Sequence, residues 1–95
     1  MLDDLQTAVL VLDAQSDLIF ANAAAEELLG VGPAWRGQLA AALRHGVPNA
    51  LLRRARASGS ALSVREVDWP VGGRSLLLDF DLTPMTNGEM LIELR

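Results

Sequence analysis

The stretch Thr7–Gly30, TAVLVLDAQSDLIFANAAAEELLG, decides how this chain folds. Ala8 to Leu12 is an unbroken apolar run, the pattern of a central strand covered on both faces. We read a strand over Thr7–Asp13, a turn over Ala14–Asp17, a second strand over Leu18–Ala21 and then a short helix. Asp13 ends the first strand, and its carboxylate is suited to accept backbone N–H groups in the turn. Asn22 stops the second strand and opens the helix. Its amide oxygen can cap an N–H two or three residues on, and Glu26 and Glu27 follow where the helix dipole favours negative charge. Gly30 supplies the left-handed residue that ends the helix. Any hairpin followed by a capped helix would share these features, so the rest of the chain has to discriminate.

The whole sequence is 95 residues long, which makes one domain near the lower end of what buries its own core. At 51% hydrophobic residues, disorder is not expected. No apolar run reaches the length of a membrane span, and Met1 leads into acidic rather than basic residues, so neither membrane insertion nor a signal peptide is expected. The expected compartment is the cytoplasm. The absence of cysteine excludes disulfides, thiolate metal sites and thiol catalysis.

Charge is more informative in its layout than in its net value of −4. All 8 cations are arginine, and Arg36, Arg44, Arg53, Arg54, Arg56 and Arg65 lie in a window from Leu28 to Arg65 that holds no acid. A basic helical side set against an acidic sheet could steer an anionic ligand or partner. The other reading is a solvated helix face, and both stay open. Nucleic-acid binding is not expected from an acidic chain whose arginines lack aromatic interleaving.

Working outward, Met1–Gln6 carries Leu2 and Leu5 at a spacing that suits one helical turn laid on a surface. A turn this short needs the sheet, or a second copy, to rest on. Residues Val31 to Gly37, with Gly32, Pro33 and Gly37, form a connection that Trp35 pins to the body. Gln38–His45 reads as a helix with Leu39 and Leu43 on one side, ended by Gly46. Pro48 opens another helix. Leu51, Leu52 and Ala55 form its apolar stripe, Arg53, Arg54 and Arg56 spread over its wetter side, and Ser58–Gly59 closes it.

The last third alternates. Ala61–Trp69 reads as a strand with Val67 and Trp69 on one side, and Pro70 marks it as an edge. Val71–Gly72–Gly73–Arg74 is a tight hairpin turn. Ser75–Thr83 sets Leu76, Leu78, Phe80 and Leu82 together, with Asp79 and Asp81 opposite. Thr86–Asn87–Gly88–Glu89 is a second hairpin turn, signalled by Asn-Gly, and the apolar Met90–Leu94 belongs inside the sheet. The prediction is an α+β domain over residues 1–95: a helical turn (1–6), a strand-strand-helix motif (7–30), a helical segment (31–59) and a three-stranded meander (60–95). Placing the apolar first and last strands side by side gives a five-stranded antiparallel sheet, order 2-1-5-4-3, with short helices on one face.

This order of elements resembles a PAS domain. Asn22, Ala24, Leu29 and Gly30 stand in the places of that family's Asn-x-Ala-x-x-x-x-Leu-Gly motif, and the resemblance spans essentially the whole chain. The sequence departs from it at Ser16 or Asp17, where relatives often have Gly, and at Ala23, where they often have Pro. Lacking cysteine, the chain cannot perform the flavin–thiol photochemistry of light-sensing relatives. The run Ala21–Ala25, then Gly73-Arg74-Ser75, Pro84-Met85-x-Asn87-Gly88 and Leu91–Leu94 is similar to the sensor domains of the nitrogen-regulation histidine kinases, the NtrB group. That resemblance implies a cytoplasmic, dimeric sensor kinase that autophosphorylates on histidine and controls the response regulator NtrC. It also implies kinase domains in cis, with the PII protein acting mainly on them. The chain stops at Arg95 without a phospho-acceptor helix or ATP-binding boxes, so no kinase activity is expected of this polypeptide.

Catalysis finds no support in the side chains. His45, the only histidine, is followed at once by the helix breakers Gly46 and Pro48, which fits a surface residue near a helix C-terminus better than a phospho-acceptor or haem ligand. Asp79 and Asp81 share a strand face but have no pocket-forming partners, so they are read as solvated or part of a dimer face. Phe20, Leu28, Leu39, Leu43, Leu51, Leu52, Leu78 and Phe80 are the candidates to line a space between sheet and helices. None offers a polar group to orient a cofactor, so no cofactor or metal is expected and a packed interior is favoured. The alternative is a small-molecule receptor domain holding its ligand there. Leu2, Leu5, Leu77 and Leu91 are the candidate surface for a homodimer through the back of the sheet.

Overall fold

The apolar run after Thr7 forms β1 (Ala8–Leu12), which reverses through a turn into β2 (Leu18–Ala21), followed by α1 (Ala23–Leu29). In this computed structural model the described residues are 7–29, 46–71 and 74–95. The predictions at Leu2, Leu5, Gly30, Trp35, Leu39, Leu43, His45 and Gly73 therefore lie outside them. The later elements are α2 (Gly46–Ser58), β3 (Leu62–Val71), β4 (Arg74–Pro84) and β5 (Met90–Leu94).

The sheet is five-stranded with order β2-β1-β5-β4-β3, and every pairing is antiparallel, as predicted. The two most apolar strands lie side by side, with Leu10 opposite Ile92 and Leu12 opposite Met90. β3 is an edge strand, so Pro70 costs the sheet no ladder bond on its free side. α1 packs on β1 and α2 on β3 and β4. Ala25 and Leu29 from α1, and Leu51, Leu52 and Ala55 from α2, join the inward strand residues in one core.

Burial along β1 corrects the expectation of a strand covered on both faces. Ala8, Leu10 and Leu12 are buried, whereas Val9 and Val11 are only half-buried. The two described helices pack on the inner face, and the valines point to the outer one. α2 also begins at Gly46, two residues before the predicted start. Pro48 fits there because the N–H groups of a first helical turn have no partner within the helix. At the other end Gly59, at φ 67°, donates its N–H to Ala55 O at 2.9 Å.

The β4–β5 turn differs from the predicted frame. Gly88 N donates to Met85 O at 3.1 Å, so the four-residue turn is Met85–Gly88, one residue earlier. Only Gly88 in this turn takes the left-handed conformation, at φ 88°. This is the three-residue hairpin loop with a glycine bulge, which Asn-Gly serves as well as it serves the two-residue loop. A Cβ on Gly88 would stand 3.1 Å from Ala14 Cβ of the β1–β2 turn. Gly88→Ala is therefore expected to cost about 1–2 kcal/mol in urea unfolding, from left-handed strain plus this contact.

Candidate functional site

Asn22 fastens the first motif together. Its Oδ1 accepts from Val9 N at 3.0 Å and from Ala25 N at 2.9 Å, and its Nδ2 donates to Thr7 O at 2.8 Å. One side chain thus caps α1 and ties it to the start of β1. Asp13 Oδ1 accepts from Gln15 N and Asp17 N, both at 2.9 Å, and closes the β1–β2 turn.

Of the candidate interior residues, Leu51, Leu52, Leu78 and Phe80 are buried in the same core, and Leu28 packs half-buried against it. Phe20 does not belong with them. It is 48% exposed, and it pairs with Val11 on the outer face while Ala21 pairs with Leu10 on the inner. A register shift within the β1–β2 pairing leaves Ile19 without a partner residue, which fixes this parity. The largest described core residue missing from the sequence-based set is Trp69. It is 1% exposed and meets Phe80 edge to face, with ring centroids 5.4 Å apart and planes at 66°, on the inner face of the strands that carry α2. The signal for it is its alternation with Val67, itself buried.

The outer face of the sheet divides in two. On one side Phe20, Val11, Leu91 and Thr83 form a row across four strands, with the exposed Ile19 beside Phe20. Leu91 is half-buried within this apolar half. On the other side Asp81 accepts from Ser63 Oγ at 2.6 Å and pairs with Arg95 at 3.0 Å. Asp79 accepts from Glu66 N at 2.9 Å and pairs with Arg65 at 3.2 Å. The Glu66 bond steadies a bulge in β3 where Glu66 stands at φ 56°, a conformation uncommon for a side chain of this kind. Ser75 donates to Asp68 nearby. Leu77, 65% exposed, faces outward opposite Asp68 in this polar half, apart from Leu91. The two aspartates are thus held by hydroxyl, guanidinium and backbone groups. Exposed ion pairs of this type contribute about 0–1 kcal/mol each.

The arginines do not behave as one group. Arg53 and Arg54 are exposed and, with Ala50 and Ala57, border a shallow recess on α2. Arg65 is engaged with Asp79. Arg56, predicted on the wetter side of α2, is half-buried instead. Its Nη1 donates to Gly88 O at 2.8 Å, and its Nη2 donates to Asp13 O at 2.8 Å and Ser16 Oγ at 3.3 Å. The signal for this is helical spacing, because Arg56 stands four residues after the buried Leu52 and shares its side.

Among the described residues no cluster of His, Cys, Asp and Glu could hold a metal ion, and no helix is long and apolar enough to cross a membrane. The sequence profile of the PAS family, described as PAS fold, matches residues 1–93. The structure is similar to the PAS domain of nitrogen regulation protein NR(II) from Vibrio parahaemolyticus, at 29% identity and TM-score 0.75, covering 94% of this chain and 87% of that one. It is also similar to a domain of a sensory box sensor histidine kinase/response regulator from Geobacter sulfurreducens, at 20% identity and TM-score 0.69, covering 94% and 82%. A third structure, the E. coli DhaR(N)-DhaL complex, shares the fold at 18% identity and TM-score 0.54, covering 99% of this chain and 35% of that one. No curated protein matches the chain significantly by sequence.

Proposed function

The chain belongs to the PAS family, and from that membership we propose that it is the sensory and dimerisation module of a cytoplasmic histidine kinase of nitrogen regulation. As a PAS sensory domain similar to those of histidine kinases, it is itself non-catalytic. The kinase domains would follow in cis, and control of NtrC and response to PII would run through them. The support for the nitrogen-regulation assignment is the 29% identity to the NR(II) PAS domain across nearly the full chain, together with the turn and strand motifs already described.

The observation that carries the dimerisation role is the outer apolar row of Phe20, Val11 and Leu91, with Ile19 beside it. Leu2 and Leu5 precede β1 and need an apolar surface, which this row offers. Two copies meeting there across a two-fold axis would remove these side chains from water. Each fully covered leucine contributes about 1.5–3 kcal/mol at most, so the isolated domain forms a modest dimer. Leu77 would sit at the margin of that contact. We expect Leu91→Asp, and separately the pair Leu2→Asp and Leu5→Asp, to shift sedimentation equilibrium toward monomer with far-UV circular dichroism unchanged. A dimer that persists in both variants removes this surface from the assignment.

A further inference from the structure

The β1–β2 and β4–β5 turns touch at one end of the sheet, where Gly88 faces Ala14, and Arg56 from the last turn of α2 bonds to both. This grip leaves the guanidinium incompletely satisfied. Its Nε is buried without a hydrogen-bond partner, and its three acceptors are two backbone carbonyls and a serine hydroxyl, none of them charged. Burying an unpaired N–H of a cation is unfavourable, and a guanidinium bonds most strongly to a carboxylate. One is at hand: Glu89, next to Gly88, lines with Arg56, Met85 and Thr86 the same cleft of about 330 Å³.

We propose that Arg56 is a two-position latch. Closed, it clamps both turns to the end of α2. Open, it swings into the cleft, pairs with the Glu89 carboxylate and releases Asp13 O, Ser16 Oγ and Gly88 O together. The closed position has more hydrogen bonds but strands Nε; the open one frees Nε and gains an opposite charge in a wetter setting. These opposing terms keep the two positions close in free energy, the condition for a switchable element. Ser16 at φ 66° marks the β1–β2 turn as backbone held in a conformation uncommon for a residue with a side chain, which the latch helps to fix. A displacement of α2 therefore reaches both hairpin turns at once, whichever signalling protein the domain serves.

Nitrogen-15 relaxation dispersion on the 95-residue chain tests this. The amides of Ser16, Gly59 and Gly88 and the Arg56 Nε–H are expected to share one exchange process on the microsecond-to-millisecond scale. Glu89→Gln, a change on a partly exposed turn, is expected to abolish that process at all four groups. Arg56→Lys cannot span three acceptors and is expected to raise the minor population severalfold. Flat dispersion profiles in the unaltered protein, unrelated rates at Ser16 and Gly88, or a process unchanged by Glu89→Gln would each overturn the latch.

Discussion

Trp69→Ala is expected to lower the unfolding free energy by about 3–5 kcal/mol, the range for removing a large aromatic ring from a core. Among the described residues the ring is the largest of the fully buried side chains. It is wedged against Phe80 on the inner face of β3 and β4, the strands that α2 rests on. Alanine there removes the edge-to-face contact, which adds about 0.5–1.5 kcal/mol beyond area burial, and leaves a gap that a sheet edge and one helix can close only in part. Small domains have total stabilities of about 5–15 kcal/mol, so the variant stands close to unfolding at room temperature. Urea titration should show a large drop in midpoint, with Trp69→Phe losing clearly less. A loss below about 1 kcal/mol for alanine, well under the range for a buried aromatic, would mean that this ring does not fill the space between sheet and helix.

Asn22→Ala is expected to cost about 2–4 kcal/mol, the sum of a lost cap and two lost tethers. Loss of the helix cap alone accounts for about 1 kcal/mol. The remainder comes from Val9 N and Thr7 O, part-buried groups whose side-chain partner disappears, at about 0.5–1.5 kcal/mol each. Asn22→Asp separates the two contributions. A carboxylate keeps both accepted bonds and adds favourable charge at the start of α1, but it cannot donate to Thr7 O. Its cost should be less than half that of alanine. Hydrogen exchange gives a second readout: Asn22→Ala should speed exchange at the Val9 and Ala25 amides, and Asn22→Asp should leave both near the original rates.

The strand order is legible because two apolar strands compete for the centre and glycine-containing turns join the last three. What escapes has specific causes. Leu18, Ile19 and Phe20 are three large apolar residues in succession, so alternation says nothing about which way Phe20 points; the bulge at Ile19 decides it. Asn87-Gly88 fits two hairpin loops, and only the Gly88–Met85 bond distinguishes them. Alternation puts Trp69 on the correct side of its strand, yet an edge strand suggests little cover, and nothing in the pattern says that the preceding helix folds back over it. Arg56 groups by composition with its charged neighbours, although its spacing from Leu52 puts it on the buried side. Its acceptors are mainly backbone carbonyls in two remote turns, which no side-chain pattern announces.

Native mass spectrometry of gently purified protein asks most directly whether side chains fill the interior and the outer face joins two copies. The predicted species are the bare 10.2 kDa chain and its dimer, with no small molecule retained. A monomer carrying one stoichiometric small molecule would contradict both halves of that expectation and make the domain a ligand receptor instead.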